Sequence, residues 1–209
     1  IYIYIFLGQV IGTATVSENG IDSVRCLQQS NTDGCHTVEY VIEHAEEHQI
    51  NQIYLYGGED ETYNECTKHK QIWNIKSQSF WYIMRGLQKG VKITCDLTIH
   101  GKNAKHNHIK INSIHFINNT IVLSDSIDLI FEDVMFSTVS ILNKILRQER
   151  QNLMLNIRIY NSTFQSGKQI NSDKNMIEMK SCFYLKLIMS NCSIESTIFS
   201  IKSVNLLFN

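Results

Sequence analysis

The stretch Ile109-Lys-Ile-Asn-Ser-Ile-His-Phe116 decides the fold, because three later segments repeat its pattern. The three segments are Leu129-Ile-Phe-Glu-Asp-Val-Met-Phe136, Ile157-Arg-Ile-Tyr-Asn-Ser-Thr-Phe164 and Leu187-Ile-Met-Ser-Asn-Cys-Ser-Ile194. Positions one, three and eight of each segment are apolar, and position five is small and polar or acidic. The segments begin 20, 28 and 30 residues apart. Self-similarity at periods of this size is typical of repeat proteins.

Within each segment the apolar residues alternate with a period of two, which places positions one and three on the same side of a strand. The polar residue at position five ends that strand, and positions six and eight then point inward from a second one. A further apolar run, such as Thr120-Ile-Val-Leu123, lies between consecutive segments. A period with two or three short strands describes one coil of a β-solenoid. We therefore predict that position eight forms an aromatic stack, and that position five forms a polar ladder in which Asn161 and Asn191 become buried.

Two other architectures also produce regularly spaced short elements. A leucine-rich repeat needs a Leu-x-x-Leu-x-Leu core and a helical turn in each period, and neither is visible. A β-sandwich gives short strands but does not explain a match position by position across connections of unequal length. A fifth segment begins at Leu206-Leu-Phe208, 19 residues after Leu187, and the chain ends within it. We expect the natural protein to continue beyond this point, since solenoids normally end in distinct caps.

A helix is predicted ahead of the repeats, over residues 36–48. Its apolar residues have helical spacing and form one face, and acidic residues cover the other. The apolar residues are Val38, Val41, Ile42 and Ala45. A helix with one apolar face can cover the exposed end of a stacked sheet, whose unpaired edge otherwise invites aggregation.

Residues 37–65 also contain the strand Ile50-Asn-Gln-Ile-Tyr-Leu-Tyr56, a Gly57-Gly58 turn and a Thr62-Tyr63 pair, and Thr98-Ile-His-Gly101 follows later. This opening, followed by the coils of residues 109–208, resembles the pectate-lyase-like (pectin-lyase-like) superfamily. The resemblance implies an all-β fold, a right-handed parallel β-helix with an N-terminal amphipathic capping helix. It is architectural, so it indicates fold much better than activity. The predicted divisions are a signal-peptide remnant at 1–14, a Cys-containing segment at 15–35, the cap helix and first strands at 36–108, and β-helix coils at 109–209.

The resemblance implies two kinds of enzyme, neither of whose catalytic sets is visible. Family hydrolases use an Asp-Asp pair, for which Glu132-Asp133 is the nearest approach, and Asp133 occupies the turn position. Family lyases use calcium-binding acids and an Arg base on neighbouring coils. The candidates are Asp133 and Arg158, which lie one coil apart, with Asp125 and Asp128 close in sequence. Exposed acids more often only solvate a surface. We therefore predict no catalytic residue, no metal site and no cofactor.

Composition and cysteines indicate where the protein acts. The formal net charge is −1 and no basic stripe is present, which argues against a nucleic-acid partner. The first residues, Ile1 to Ala14, resemble the apolar core of a signal peptide with small residues at its cleavage site, although Ile/Tyr alternation also suits a strand. An even number of cysteines beside such a start predicts disulfides and a secreted or cell-surface location. The candidates are Cys26, Cys35, Cys66, Cys95, Cys182 and Cys192. Cys192 also falls on position six, where a free thiol would pack as a small apolar group.

Other residues mark possible surface features. Asn118, Asn161 and Asn191 each begin an Asn-x-Ser/Thr sequon and are candidate glycosylation sites. Two polar excursions leave the repeats, and their Arg147, Arg150 and Lys168 are candidate contact residues, although any solvent loop is equally hydrophilic. Trp73, Trp81 and Tyr82 could stack on a sugar or pack in the core.

Together these features predict a non-catalytic structural or adhesive part of a secreted or cell-surface β-helix protein. Its partner would be a protein or a glycan on a cell surface or in a matrix, and self-assembly through an open C-terminal edge is possible. The alternative is the N-terminal part of a polysaccharide lyase or glycoside hydrolase whose catalytic coils lie downstream.

Overall fold

The structure is a computed structural model that describes residues 12–28, 34–56, 70–75, 81–86, 91–101, 108–124, 126–143, 154–165, 175–180, 184–195 and 197–202. The described residues form eighteen strands, one α-helix and a 3-10 turn at Val24–Leu27. In chain order the elements are β1 (Gly12–Ser17), α1 (Val38–His44), β2 (Ile50–Tyr56), β3 (Lys70–Ile75), β4 (Trp81–Gly86), β5 (Lys92–Ile93), β6 (Asp96–Gly101), β7 (His108–Asn112), β8 (His115–Ile117), β9 (Thr120–Ser124), β10 (Ile127–Glu132), β11 (Met135–Ser137), β12 (Ser140–Asn143), β13 (Met154–Tyr160), β14 (Thr163–Gln165), β15 (Asn175–Lys180), β16 (Tyr184–Ser190), β17 (Ser193–Ile194) and β18 (Thr197–Lys202).

The strands form three sheets in which neighbouring strands are parallel. Sheet A has the order β1-β2-β4-β7-β10-β13-β16, sheet B the order β5-β8-β11-β14-β17, and sheet C the order β3-β6-β9-β12-β15-β18. From β4 to β18 the chain adds one strand to sheet A, then one to sheet B, then one to sheet C, and it does so five times. We call each such run a repeat. The prediction of an all-β chain built from parallel strands is confirmed.

The strand register confirms the alignment read from the sequence. Leu129 lies opposite Ile109 on one side and Ile157 on the other, and Ile157 lies opposite Leu187. Position three is aligned in the same way through Phe131. Like residues therefore lie above one another across repeats, although the connections between them differ in length.

The predicted aromatic stack at position eight is also present. The rings of Phe116 and Phe136 lie 5.9 Å apart and 12° from parallel, and those of Phe136 and Phe164 lie 4.6 Å apart and 15° from parallel. Phe131, at position three, meets Phe136 edge to face at 5.1 Å. All four rings are fully buried, so this stack forms the centre of the core between the sheets.

The corner between sheets A and B is formed by position five. Ser113, Asp133, Asn161 and Asn191 have φ values of 55°, 53°, 48° and 53°, in the left-handed region that Asn and Asp enter more readily than most residues. The backbone N–H of each of the first three donates to the last carbonyl of the next sheet A strand, at 3.0–3.2 Å. The corner thus bends the chain from sheet A into sheet B and links each repeat to its neighbour.

The side chains of that corner correct one prediction. Asn191 Nδ2 donates to Asn161 Oδ1 at 3.3 Å, so the two amides do form a ladder. Both residues are exposed, however, and the expectation that the ladder buries them was wrong. The reason is the left-handed backbone, which turns position five outward and position six inward. Ser162 is accordingly buried, where its hydroxyl donates to Tyr160 O at 2.7 Å.

The predicted helix and its apolar face are confirmed. Thr37 caps α1 by accepting a hydrogen bond from the Tyr40 N–H at 3.1 Å. Val38, Val41 and Ile42 are buried, and α1 packs against β3, the edge strand of sheet C, and against β2. The helix therefore covers the N-terminal end of sheet C, as its apolar face indicated.

The cysteines divide into two groups. Cys26 and Cys35 form a disulfide, and Cys95 is also disulfide-bonded, while Cys66 and Cys182 lie outside the described residues. Cys192 carries a free thiol, which corrects its place among the disulfide candidates and agrees with a packing role at position six. Its Sγ lies 3.4 Å from Ser190 O, the same contact that the Ser162 hydroxyl makes with Tyr160 O one repeat earlier.

We predict that Phe136→Ala lowers the free energy of unfolding by about 3–5 kcal/mol, because it leaves a cavity between two stacked rings. The control is Met135→Ala, whose side chain points outward from the same strand and should cost less than about 1 kcal/mol. Urea unfolding of the two variants measures the difference. Equal losses would contradict the inward stack.

A second prediction concerns the corner. Asp133→Ala should lower the free energy of unfolding by about 1 kcal/mol, since alanine pays the full cost of a left-handed backbone. Asp133→Gly should be neutral or stabilising, because glycine enters that region freely. Thermal unfolding of both variants distinguishes this account from one in which the Asp133 side chain itself is required, for which both substitutions would destabilise.

Candidate interaction face

The outer face of sheet A carries polar and charged residues in a regular pattern. Along β7, β10, β13 and β16, residues that point inward alternate with residues that point outward. The outward residues, strand by strand, are His108, Lys110 and Asn112, then Asp128, Ile130 and Glu132, then Asn156, Arg158 and Tyr160, then Lys186, Ile188 and Ser190. We call this set the A face.

Asp128 is the centre of one cluster on the A face. Arg158 Nη2 donates to both of its carboxylate oxygens, at 2.7 and 2.8 Å. His108 Nδ1 lies 3.0 Å from Asp128 Oδ2. The three residues belong to β13, β10 and β7, so the cluster joins three neighbouring repeats. The side chains are 16–26% exposed, which leaves them accessible while their partners restrict their rotamers.

Glu132 is the centre of a second cluster. It forms an ion pair with Lys110 and accepts a hydrogen bond from Asn112 Nδ2 at 2.9 Å. The hydrogen bond and positive charge of Lys110, together with the Asn112 amide, hold the pKa of the Glu132 carboxyl below its usual value against the opposing effect of burial. Glu132 therefore remains ionised throughout the neutral range and well below it.

Apolar and aromatic groups lie among these charges. Ile130 and Ile188 are half-buried at the centre of their strands, and Tyr160 lies beside Glu132 in register. Two more tyrosines, Tyr54 and Tyr56, point outward from β2 on the same sheet, and Tyr56 is 45% exposed. The sheet therefore offers hydrogen-bonding groups and ring surfaces on one face. Trp73 instead lies in the core, as its packing interpretation expected, and the side chains of Trp81 and Tyr82 lie outside the described residues.

The sequence alone singled out Arg158, Asp128 and Asp133 but did not bring the A face together. Asp128 bonds to Arg158 and His108, and Asp133 is exposed at a corner, so neither carboxylate is positioned for a shared calcium ion. The sequence interpretation missed Lys110 and Asn112, and it considered Glu132 only as a neighbour of Asp133. The alternation already indicated their location, since these residues occupy positions two and four of the aligned segments, which point away from the core side of positions one and three.

The predicted contact residues Arg147, Arg150 and Lys168 lie outside the described residues, as does the calcium candidate Asp125. The three sequon asparagines are all exposed at corners with a left-handed backbone, Asn118 having a φ of 50°. Exposure is compatible with a glycan at any of them, and glycosylation stays a prediction.

One group of potential metal ligands lies near the N-terminal end. The Asp22 carboxylate and the sulfurs of Cys26 and Cys35 lie within 4.8 Å of one another. The two sulfurs are bonded to each other, and Asp22 accepts hydrogen bonds from the backbone N–H groups of His36 and Thr37. This group is therefore a structural link rather than a metal centre.

His115, on the outer face of sheet B, responds to pH. Its Nε2 lies 2.8 Å from Ser137 Oγ, and Lys92 is its register partner on β5. Burial, and secondly the positive charge of Lys92, lower the pKa of His115 below its usual value. The folded protein therefore keeps this imidazole neutral in a range where the unfolded chain already binds a proton.

We predict that this shift makes the fold less stable as the pH falls. Stability from neutral His115 is fully present above its unfolded-state pKa of about 6.5 and is lost as the pH falls toward the lower folded-state pKa. The measurement is the free energy of unfolding between about pH 7.5 and 5 for the wild type and His115→Gln. The free energy of unfolding of the variant should depend less steeply on pH, because the variant lacks His115. All other histidines are the same in the two proteins. Parallel curves would contradict the prediction.

Within the described residues no helix is long and apolar enough to cross a membrane. Comparison with known proteins gives no further guide to function. No family model matches the chain, and neither a curated protein nor a solved structure matches it.

Proposed function

We propose that the chain is part of a right-handed parallel β-helix of the pectate-lyase-like superfamily, and that it is a non-catalytic, adhesive part of a secreted or cell-surface protein. The support for a β-helix is the fixed A-B-C order of the strands, with like residues aligned in successive repeats. The support for an oxidising compartment is the Cys26–Cys35 disulfide.

The observation that carries the function is the A face. It aligns carboxylate, guanidinium, ammonium and amide groups on four neighbouring strands, all held on a rigid sheet. A surface of this kind can donate and accept hydrogen bonds at short intervals along one direction. Among the two partner classes, a glycan fits these groups best, because its hydroxyls are both donors and acceptors and its rings can lie against tyrosine and isoleucine side chains.

The charges of the A face restrict the partner further. Lys110, Arg158 and Lys186 oppose Asp128 and Glu132, so that the face carries nearly balanced charge when His108 is neutral. Four of these five groups are already paired with each other in the clusters described above. Pairing orients the side chains before binding and lowers the entropy that a ligand must remove. A neutral or weakly charged glycan is therefore favoured over a strongly anionic one.

The enzymatic alternative has one observation in its favour. His108, Asp128 and Arg158 lie together on neighbouring strands, and an imidazole oriented by a carboxylate can act as a general base. The two functions differ in what happens to the bound glycan. An adhesive protein leaves the glycan intact, whereas a lyase or hydrolase shortens it.

The test is binding of the wild type and two single variants to a panel of neutral and acidic oligosaccharides, with the products analysed afterwards. Tyr160→Ala removes a ring from the A face, and we expect binding to weaken about tenfold, equivalent to about 1.4 kcal/mol. Thr163→Ala is the matched control, because Thr163 points outward from sheet B in the same repeat. Binding should be unchanged in this variant.

Three results would contradict the proposal. Equal weakening by both substitutions would place the binding elsewhere, and failure to bind any glycan in the panel would remove the proposed partner. New reducing ends or unsaturated ends in the bound glycan would replace adhesion with the enzymatic alternative.

A further inference from the structure

The N-terminal edge of sheet A is closed by a short segment of the chain itself. Val16 of β1 forms an isolated parallel bridge with Cys35. The Cys35 N–H donates to Thr15 O at 2.8 Å, and the Ser17 N–H donates to Cys35 O at 2.9 Å. We call Gly34 and Cys35 the edge cover, because they pair with β1 on the side opposite β2.

The edge cover requires a particular backbone. Gly34 has a φ of +69°, and a Cβ there would lie 2.8 Å from Thr15 O. At the other side of the loop, a Cβ on Gly20 would lie 2.1 Å from Cys35 O. Both glycines thus permit an approach that other residues would block. A segment this short and closely fitted gains little from apolar burial beyond Cys35 itself.

Besides its pairing with β1, three attachments hold the edge cover in place. The first is the disulfide from Cys35 to Cys26, in the 3-10 turn. The second is Asp22, whose carboxylate accepts hydrogen bonds from the backbone N–H groups of His36 and Thr37 at 2.8 and 2.9 Å and from the Thr37 hydroxyl at 2.7 Å. Asp22 thus holds the residues that follow the cover. The third is the Ile21 N–H, which donates to Gly34 O at 3.3 Å, so that the disulfide is the cover's covalent attachment.

The strand beneath the cover is suited to pair with a copy of itself. Ala14 and Val16 of β1 are buried on one face, and Thr13, Thr15 and Ser17 lie on the other. An antiparallel pair of two such strands would place like faces together and set Thr and Ser side chains opposite one another, a cross-strand combination that stabilises sheets. A two-fold contact of this kind is closed and does not grow further.

We propose that the Cys26–Cys35 disulfide controls a dimer interface, in which reduction frees β1 to pair with β1 of a second copy of this chain. A dithiol reductant transfers two electrons and two protons to the disulfide, so that the S–S bond breaks, two thiols form and the reductant closes its own disulfide. The edge cover then loses its covalent anchor. Unpaired strand edges associate readily, and the uncovered β1 supplies such an edge. This inference does not depend on the proposed glycan partner.

The test uses the full chain with Cys26→Ser and Cys35→Ser together, which imitates reduction without affecting the disulfide of Cys95. We expect light scattering after gel filtration to give a doubled mass at micromolar concentrations, while the wild type and the matched control Cys192→Ser stay at the mass of one chain. Adding Ser17→Pro removes an N–H that faces the edge, a change that edge strands tolerate, and should restore the mass of one chain.

Hydrogen exchange keeps the proposal testable if the double variant is partly unfolded. In the wild type with a mild dithiol, the amides of Cys35 and Ser17 should exchange about 100-fold faster, the effect expected when a loop of this length loses its cross-link. The amides of Leu129 and Phe131, in the centre of sheet A, should not change. The proposal is overturned if the double variant remains a single chain, if it associates regardless of Ser17→Pro, or if Ser17 exchange is unaffected by reduction.

Discussion

The four repeats from β7 onward depend on one constraint, the left-handed residue at the corner between sheets A and B. A residue with positive φ directs its own side chain to solvent and the following side chain into the core, which sets the phase of the second strand. Its N–H also donates to the neighbouring repeat, so the same residue that bends the chain keeps the repeats in register. If Asp133 adopted an ordinary strand backbone, Val134 and Phe136 would exchange faces with Met135, and the phenylalanine stack would be lost.

The core of the protein could be predicted from the sequence because it obeys a simple alternation. Leu129, Phe131 and Phe136 occupy positions that are apolar in every aligned segment. Stacked parallel strands place the residues at one such position next to each other. The helix α1 could be predicted equally well, from the helical spacing of Val38, Val41 and Ile42. These features depend only on which side of an element a residue occupies.

The two ion pairs of the A face could not be predicted in the same way, because they run diagonally between strands, whereas His108 and Asn112 lie in register with their partners Asp128 and Glu132. Arg158 lies opposite Ile130 in register but reaches Asp128, and Lys110 reaches Glu132 rather than its own register partner. Such pairs depend on side-chain length and rotamer as well as on strand order. The exposure of Asn161 and Asn191 was missed for a related reason, since periodicity alone does not reveal the sign of φ.

The connections between strands differ in length from one repeat to the next. The connection from β9 to β10 is short, whereas residues 144–153 separate β12 from β13 and residues 166–174 separate β14 from β15. The strands on both sides of these longer connections keep the register of their neighbours. The length of a connection therefore does not affect the pairing of the strands beside it, because the free-energy cost of closing a loop rises slowly with its length. A foreign peptide grafted between β12 and β13, or between β14 and β15, would consequently join strands whose pairing is already fixed, without a new fold having to be found for it.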